Sequence, residues 1–227
     1  MTTTRKKKGR WHAERAAVAA IAREMAALGL VSGSSGNVSL RIESESTPLM
    51  AITPMGRPYH DLKDEDIVVC DYEMEVAEGE WNPSSESLLH VGIYQRRPDV
   101  KGVVHTHAVH SSVMAVTGDE IPVLLDEMAV VLGGPVRVSE YGFPGTQELA
   151  DNVCDALGQH AAAIIRSHGA VSVGRDLREA LNACILTERV AQIFITASLL
   201  GKVNALPADT VDRETAVYRM RRGMDAR

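Results

Sequence analysis

Val103-Val104-His105-Thr106-His107 is the stretch on which both fold and chemistry turn. An apolar run from Val100 that closes on His-x-His has the composition of a buried central strand. Side chains alternate along a strand, so His105 and His107 share one face. Two imidazoles side by side on one face can bind one divalent metal. A metal enzyme also needs a third ligand, a base and a place for its substrate.

Working outward, the spacing of apolar residues and breakers predicts the other elements. Upstream, Trp11–Leu28 is an amphipathic helix stopped at Gly29, and Ser32–Asn37 is a flexible loop. Strands follow at Val38–Ile42, Leu49–Thr53 and Ile67–Asp71, then an acidic hairpin region over 73–80. Ser85–Arg97 reads as a helix with Ser84 as its N-cap. Downstream, the pattern predicts a short helix over Ser111–Val116, with strands at Ile121–Leu125 and Val136–Val138. A helix over Gln147–Leu157 and strands at Ala162–Arg166 and Val171–Val173 come next. A long helix spans Leu177–Leu200. Residues 1–10 are a basic disordered tail, 11–204 one domain, and 205–227 a tail with a short helix. Helices flanking a β-rich middle make this a single α/β domain.

His168 is the natural third ligand. It follows the apolar run Ala163-Ile164-Ile165-Arg166, and Gly169 leaves the backbone free to turn. Three histidines with an open position match catalytic zinc. Of the eight histidines, His12, His60 and His160 sit in polar contexts and read as surface residues. His90, one turn after Glu86, either supports the metal ligands from behind or is a core residue, and His110 faces either way. Glu86 is either an acid favoured by a helix dipole or a carboxylate beside the metal, acting as ligand, base or both. Three small-residue loops offer hydroxyls and free N–H groups to an anion: Gly36-Asn37, Thr53-Pro54-Met55-Gly56 and Ser84-Ser85.

Bulk composition narrows the partners. The chain has 227 residues, 45 % of them hydrophobic, and a net charge of −6, which disfavours nucleic acid. The cluster Arg5-Lys6-Lys7-Lys8-Gly9-Arg10 is the exception and reads as a soluble tail. No apolar run approaches a membrane span. Cys70, Cys154 and Cys184 are scattered without a CxxC, which fits reduced thiols and a cytoplasmic location.

Several motifs now stand in order: Gly36-Asn37-Val38-Ser39, Ile52-Thr53-Pro54-Met55-Gly56, Pro83-Ser84-Ser85-Glu86, His90, Tyr94, Arg97-Pro98-Asp99-Val100, His105-Thr106-His107 and His168-Gly169. Together they resemble the class II aldolase/adducin family. The resemblance implies an α/β fold whose central, mostly antiparallel sheet lies between helices. It implies zinc on His105, His107 and His168, with manganese or cobalt as substitutes, and Glu86 as both metal contact and acid/base. Gly36, Asn37, Thr53, Gly56, Ser84 and Ser85 match the cradle of a substrate phosphate. The implied reaction is reversible cleavage of a ketose 1-phosphate, such as L-fuculose 1-phosphate or a related deoxy-ketose phosphate, to dihydroxyacetone phosphate and an aldehyde. A homotetramer with active sites at subunit interfaces is also implied. Epimerase, dehydratase and decarboxylase chemistries share the scaffold, Arg57 or Arg166 serving a carboxylate in the last. A non-catalytic adducin-like module is disfavoured, because the three histidines and Glu86 are all present. The sequence departs from the family where fuculose-type relatives carry a tyrosine on the aldehyde side. Asp126 stands there, with Glu127 beside it, and either replaces that proton donor or is an exposed loop acid; Tyr141 is the alternative donor, and Tyr218 stands in for another tyrosine that the family places near the C-terminus.

Overall fold

The alternation of the central strand sets the layers. In the computed structural model, which describes residues 9–44 and 47–224, Val104 packs into one core and Val103 into another on the opposite face. Residues 1–8, with most of the basic cluster, lie outside the described residues.

The chain runs α1 (His12–Ala27), β1 (Asn37–Ile42), β2 (Leu49–Ile52), β3 (Val68–Asp71), β4 (Val76–Glu78), α2 (Ser87–Arg96), β5 (Gly102–Thr106) and α3 (Val109–Thr117). It continues through a π-helical turn (Met128–Leu132), β6 (Arg137–Val138), α4 (Gln147–Leu157), β7 (Ala162–Ile165), β8 (Gly169–Gly174), α5 (Leu177–Leu199) and α6 (Ala208–Arg221). Among the described residues, eight strands form one sheet in the order β4-β3-β2-β1-β5-β8-β7-β6. Every neighbouring pair is antiparallel except β6 and β7. The expected mostly antiparallel sheet is therefore present.

Helices α1 and α5 cover one face, where Val18, Ile21, Met25, Leu181 and Cys184 meet Val38, Ala51, Val69 and Val104. Helices α2 and α4 cover the other, where Leu89, Ile93, Tyr94, Leu149 and Val153 meet Met50, Ile52, Val68, Val103 and Val173. A third core joins α3, the π turn and α6. This sandwich holds the register. Sliding β5 by one residue would exchange Val103 for Val104 and turn His105 into the α1–α5 core. Each buried Val, Leu or Ile is worth roughly 1.5–3 kcal/mol, so the slip costs several such side chains at once. His105 shares the face of Val103 and so points toward α2.

Three expected boundaries change. Helix α2 starts at Ser87, with Glu86 rather than Ser84 at its N-cap position, and no side chain caps it. Ile121–Leu125 is not a strand: only Ile121 pairs, in a lone bridge to Val136. Pro122 interrupts the ladder there because it has no N–H to donate. The helix in the C-terminal segment is not short but spans 14 residues. Among the described residues, no helix is long and apolar enough to cross a membrane.

Candidate metal centre

Four strand ends meet at one edge of the sheet. His105 on β5 lies opposite Asn37 at the start of β1 and Val171 near the start of β8. His107 follows one step past β5. His168 is the last residue of the three-residue turn between β7 and β8, where its N–H bonds Ile165 O at 3.0 Å. The positive φ of that turn falls on Ser167, at 56°, and not on Gly169. Gly169 serves closeness instead, because a Cβ there would lie 2.2 Å from Thr106 O. Only a glycine lets β8 approach β5 and bring His168 beside His107.

Glu86 reaches this edge from the start of α2. Its Oε2 lies 3.1 Å from His105 Nε2, and its Oε1 lies 3.3 Å from His168 Nε2. His107 Nε2 is 3.0 Å from His105 Nε2. The three rings stand mutually edge-on with centroids 4.8 Å apart. All four ligand atoms fall within 4.8 Å of one another. Glu86 and His105 are buried, while His107 and His168 are half-buried, which leaves one open side.

The protonation pattern suits a cation. His105 Nδ1 faces Ala170 O at 2.9 Å. A carbonyl only accepts, so Nδ1 carries a hydrogen and Nε2 is the ring nitrogen turned inward. Burial, with repulsion from the neighbouring imidazoles, lowers the His107 pKa to about 4 and lowers that of His168 too. Burial opposes the charge on Glu86. The nearby His105 and His168 and a hydrogen bond from Asn37 outweigh it and hold the carboxyl well below its usual range. Three imidazole nitrogens and a carboxylate thus converge on one point. Among the described residues Glu86 Oε1 is buried without a hydrogen-bond partner, and such an atom calls for one. Nitrogen and carboxylate donors in this number fit zinc or a similar divalent ion.

Glu86 is held from behind. Asn37 Nδ2 donates to its Oε2 at 2.9 Å. Behind Asn37 stand His90, Ser39 and Tyr94 in hydrogen-bond sequence. The use of the Asn37 side chain on Glu86 escaped the sequence reading, although His90 at i+4 from Glu86 was its one signal.

The three small-residue loops lie side by side. Thr53 N–H bonds Val38 O at 3.0 Å, and Ser84 N–H bonds Thr53 O at 3.1 Å. Pro54 bridges Pro83. Thr53 is buried, with its Oγ1 accepting from Val38 N–H at 3.2 Å, whereas Gly56 and Ser85 are exposed and Ser84 half-exposed. Ser84 Oγ accepts the Glu86 N–H at 3.3 Å, a turn that sets the approach of Glu86 rather than a helix cap. Gly36 carries φ of 72°, and a Cβ there would lie 2.5 Å from His105 O.

Other residues stand apart. His110 is paired with Glu188, whose carboxylate also takes the N–H groups of His110 and Ser111 at the start of α3. His160, expected on the surface, is half-buried, and burial lowers its pKa to about 4. Asp126 is exposed, beside Glu214, and Tyr141 is 55 % exposed. Tyr218 is a core residue: its ring packs against Gly133 and its hydroxyl donates to Gln159 O at 2.9 Å.

Comparison with known proteins agrees with this geometry. The family profile of the Class II Aldolase and Adducin N-terminal domain matches residues 16–195. A 5-deoxy-D-ribulose 1-phosphate aldolase of Bacillus thuringiensis serovar kurstaki is 32 % identical, over 88 % of this chain and 92 % of its own. A 5-methylthioribulose-1-phosphate/5-deoxyribulose-1-phosphate aldolase of Rhodospirillum rubrum is 35 % identical, over 85 % of each. The solved structure of an L-fuculose 1-phosphate aldolase superposes with a TM-score of 0.85 at 31 % identity, covering 91 % of this chain and 96 % of that one. With fold, site and relatives in agreement, the chain belongs to the class II aldolase/adducin family, as a lyase of the aldolase type.

Proposed function

We propose that the chain is a zinc-dependent aldolase that reversibly cleaves a ketose 1-phosphate to dihydroxyacetone phosphate and an aldehyde. Substrates of the L-fuculose 1-phosphate and 5-deoxyribulose 1-phosphate type fit best. The observation that carries this is the convergence of His105, His107, His168 and an unpartnered Glu86 Oε1 at the sheet edge that also holds three small-residue loops. In this proposal the three histidines and Glu86 hold the ion, with manganese and cobalt as substitutes. When bound, it supplies Lewis-acid polarisation of the substrate oxygens.

The residues of the chain do the rest. Gly36, Thr53, Gly56, Ser84 and Ser85, with the main chain of Asn37, cradle the phosphate through N–H groups and hydroxyls. In cleavage the hydroxyl at C4 gives its proton to Glu86 Oε1, its O–H electron pair becomes the second bond of the aldehyde C=O, the C3–C4 bond breaks, and that bond's electron pair stays on C3. Glu86 Oε1 then delivers a proton to C3; in synthesis it removes that proton. Asp126 and Tyr141 are exposed in the single chain, as residues that reach a neighbouring subunit's site must be. We assign the enzyme to a cytoplasmic homotetramer with sites at its interfaces.

The test measures dihydroxyacetone phosphate release from L-fuculose 1-phosphate, 5-deoxyribulose 1-phosphate and 5-methylthioribulose 1-phosphate. Chelation abolishes release and zinc restores it. Glu86→Gln lowers turnover by about 10²–10⁴-fold while the metal stays bound. Cleavage of none of the three by metal-loaded protein overturns the proposal.

A further inference from the structure

Asn37, Ser39, His90 and Tyr94 form a buried line that ends on Glu86, and none is more than 2 % exposed. Elementary donor chemistry orients every bond in it. A carboxylate only accepts, so Asn37 turns Nδ2 toward Glu86 Oε2, at 2.9 Å. The amide oxygen Oδ1 then faces His90 Nε2, at 2.5 Å. Amide oxygens also only accept, so His90 Nε2 carries a hydrogen. The ring touches no carboxylate and is fully buried, which favours its neutral form. His90 Nδ1 is therefore bare and accepts from Ser39 Oγ, at 2.5 Å. Ser39 has then used its one hydrogen, so it accepts from Tyr94 OH, at 2.7 Å. The alternative partner of Tyr94, Lys101 O, is farther, at 3.3 Å.

The line has one consistent polarity. Reversing the Asn37 amide would set two acceptors face to face at Glu86 and two donors at His90. Both clashes would be buried, where unpaired polar groups are most costly. A buried histidine is commonly a satisfied core residue and nothing more. Here its tautomer decides which atom of Asn37 faces Glu86.

We propose that His90 is a positioning residue for Glu86: its Nε2–H tautomer, set by Ser39 and Tyr94, locks the Asn37 amide so that Oε2 is held and Oε1 alone is free to carry the proton. This rests on the assignment of Glu86 as acid/base. It also withholds the Asn37 side chain from the substrate phosphate.

Two measurements on the full chain test it. Long-range ¹H–¹⁵N spectra of the metal-free protein at pH 7 read the tautomer: His90 shows a protonated Nε2 and a bare Nδ1. An Nδ1–H tautomer or an imidazolium overturns the proposal. In the zinc enzyme, His90→Leu lowers kcat by about 10–100-fold, the range for losing an outer-shell partner. KM moves less than about threefold and zinc content is unchanged. His90→Gln keeps a donor where Nε2 stands and recovers most of kcat. A His90→Leu enzyme with kcat intact overturns the proposal. So does a raised KM with kcat spared, which would give the Asn37 side chain to the phosphate. Should His90→Leu fail to fold, Ser39→Ala removes the donor to Nδ1. It mixes the His90 tautomers and lowers kcat at constant KM, and a spectrum and kcat identical to the unaltered protein refute the line. If Glu86→Gln retained turnover, the acid/base role would fall while the tautomer measurement still stood.

Discussion

Gly36 and Gly33 offer a paired test of how the sheet edge holds the metal site. Both have left-handed backbones, with φ of 72° and 64°. Placing alanine in that region costs about 1–2 kcal/mol at either position. Only Gly36 is also crowded. A Cβ there would lie 2.5 Å from His105 O and 2.8 Å from Val31 Cγ1, whereas at Gly33 nothing lies within 4 Å. To reach even a tight contact of 3.0 Å, the backbone at Gly36 must retreat from β5 by at least 0.5 Å, the difference between 3.0 and 2.5 Å. Overpacking of that kind adds roughly 1–3 kcal/mol. The displaced segment runs straight into Asn37, which pairs with His105 and holds Glu86. Gly36→Ala therefore disturbs two of the four ligands, and metal affinity falls by about 10–100-fold. That equals roughly 1.4–2.7 kcal/mol. Gly33→Ala loses about 1–2 kcal/mol of stability and keeps its zinc affinity. Zinc titration against a competing chelator, with urea unfolding of both metal-free variants, separates the effects. Equal zinc affinity in the two variants would refute the idea that this contact sets the site.

Two further outcomes follow from buried charge. Arg97 is 3 % exposed and donates to both oxygens of Asp99 at 2.8 Å, to Gly158 O at 2.8 Å and to His160 O at 3.1 Å. Arg97→Leu strands Asp99 Oδ1 and the Gly158 and His160 carbonyls, while Asp99 Oδ2 keeps Arg222 Nη1 at 2.9 Å, and destabilises the fold by roughly 1–3 kcal/mol, read as a lower urea midpoint; a loss well under about 1 kcal/mol would be the value of an exposed pair instead. The metal-free protein also loses stability in acid. His90, His107 and His160 have pKa values lowered from 6.5 to about 3, 4 and 4. Below pH 6.5 the unfolded chain takes up protons that the folded chain refuses, so stability falls from there down to about pH 4 and 3. The urea midpoint holds steady from pH 8 to 7 and declines below 6.5. A flat profile between pH 7 and 5 would contradict these shifts.

Much of the site was legible because its signals are local. The 2-residue period of a strand puts His105 and His107 on one face, and helical spacing puts His90 one turn from Glu86. Gln147–Leu157 was bounded correctly because Thr146 caps it, accepting from Leu149 N–H. Misreadings came where a distant contact overrode a local preference. Ser84 has N-cap chemistry, yet its hydroxyl takes the Glu86 N–H and the helix begins at Ser87. His160 has polar neighbours in sequence but lies under Gly134 in space. Tyr218 sits in a polar tail and is still buried, since α6 folds back on the π turn.

By itself the sequence determined which residues bear the chemistry, because ligand type and strand period are properties of a few consecutive positions. Tertiary structure decided what those residues touch. Strand order set β1 and β8 on either side of β5, which brought Asn37 and His168 to His105 from 68 positions before and 63 after it. Gly36 and Gly169 made those approaches close enough for ligand atoms to meet. No local period encodes such distances; they arise from pairing and packing summed across the sheet.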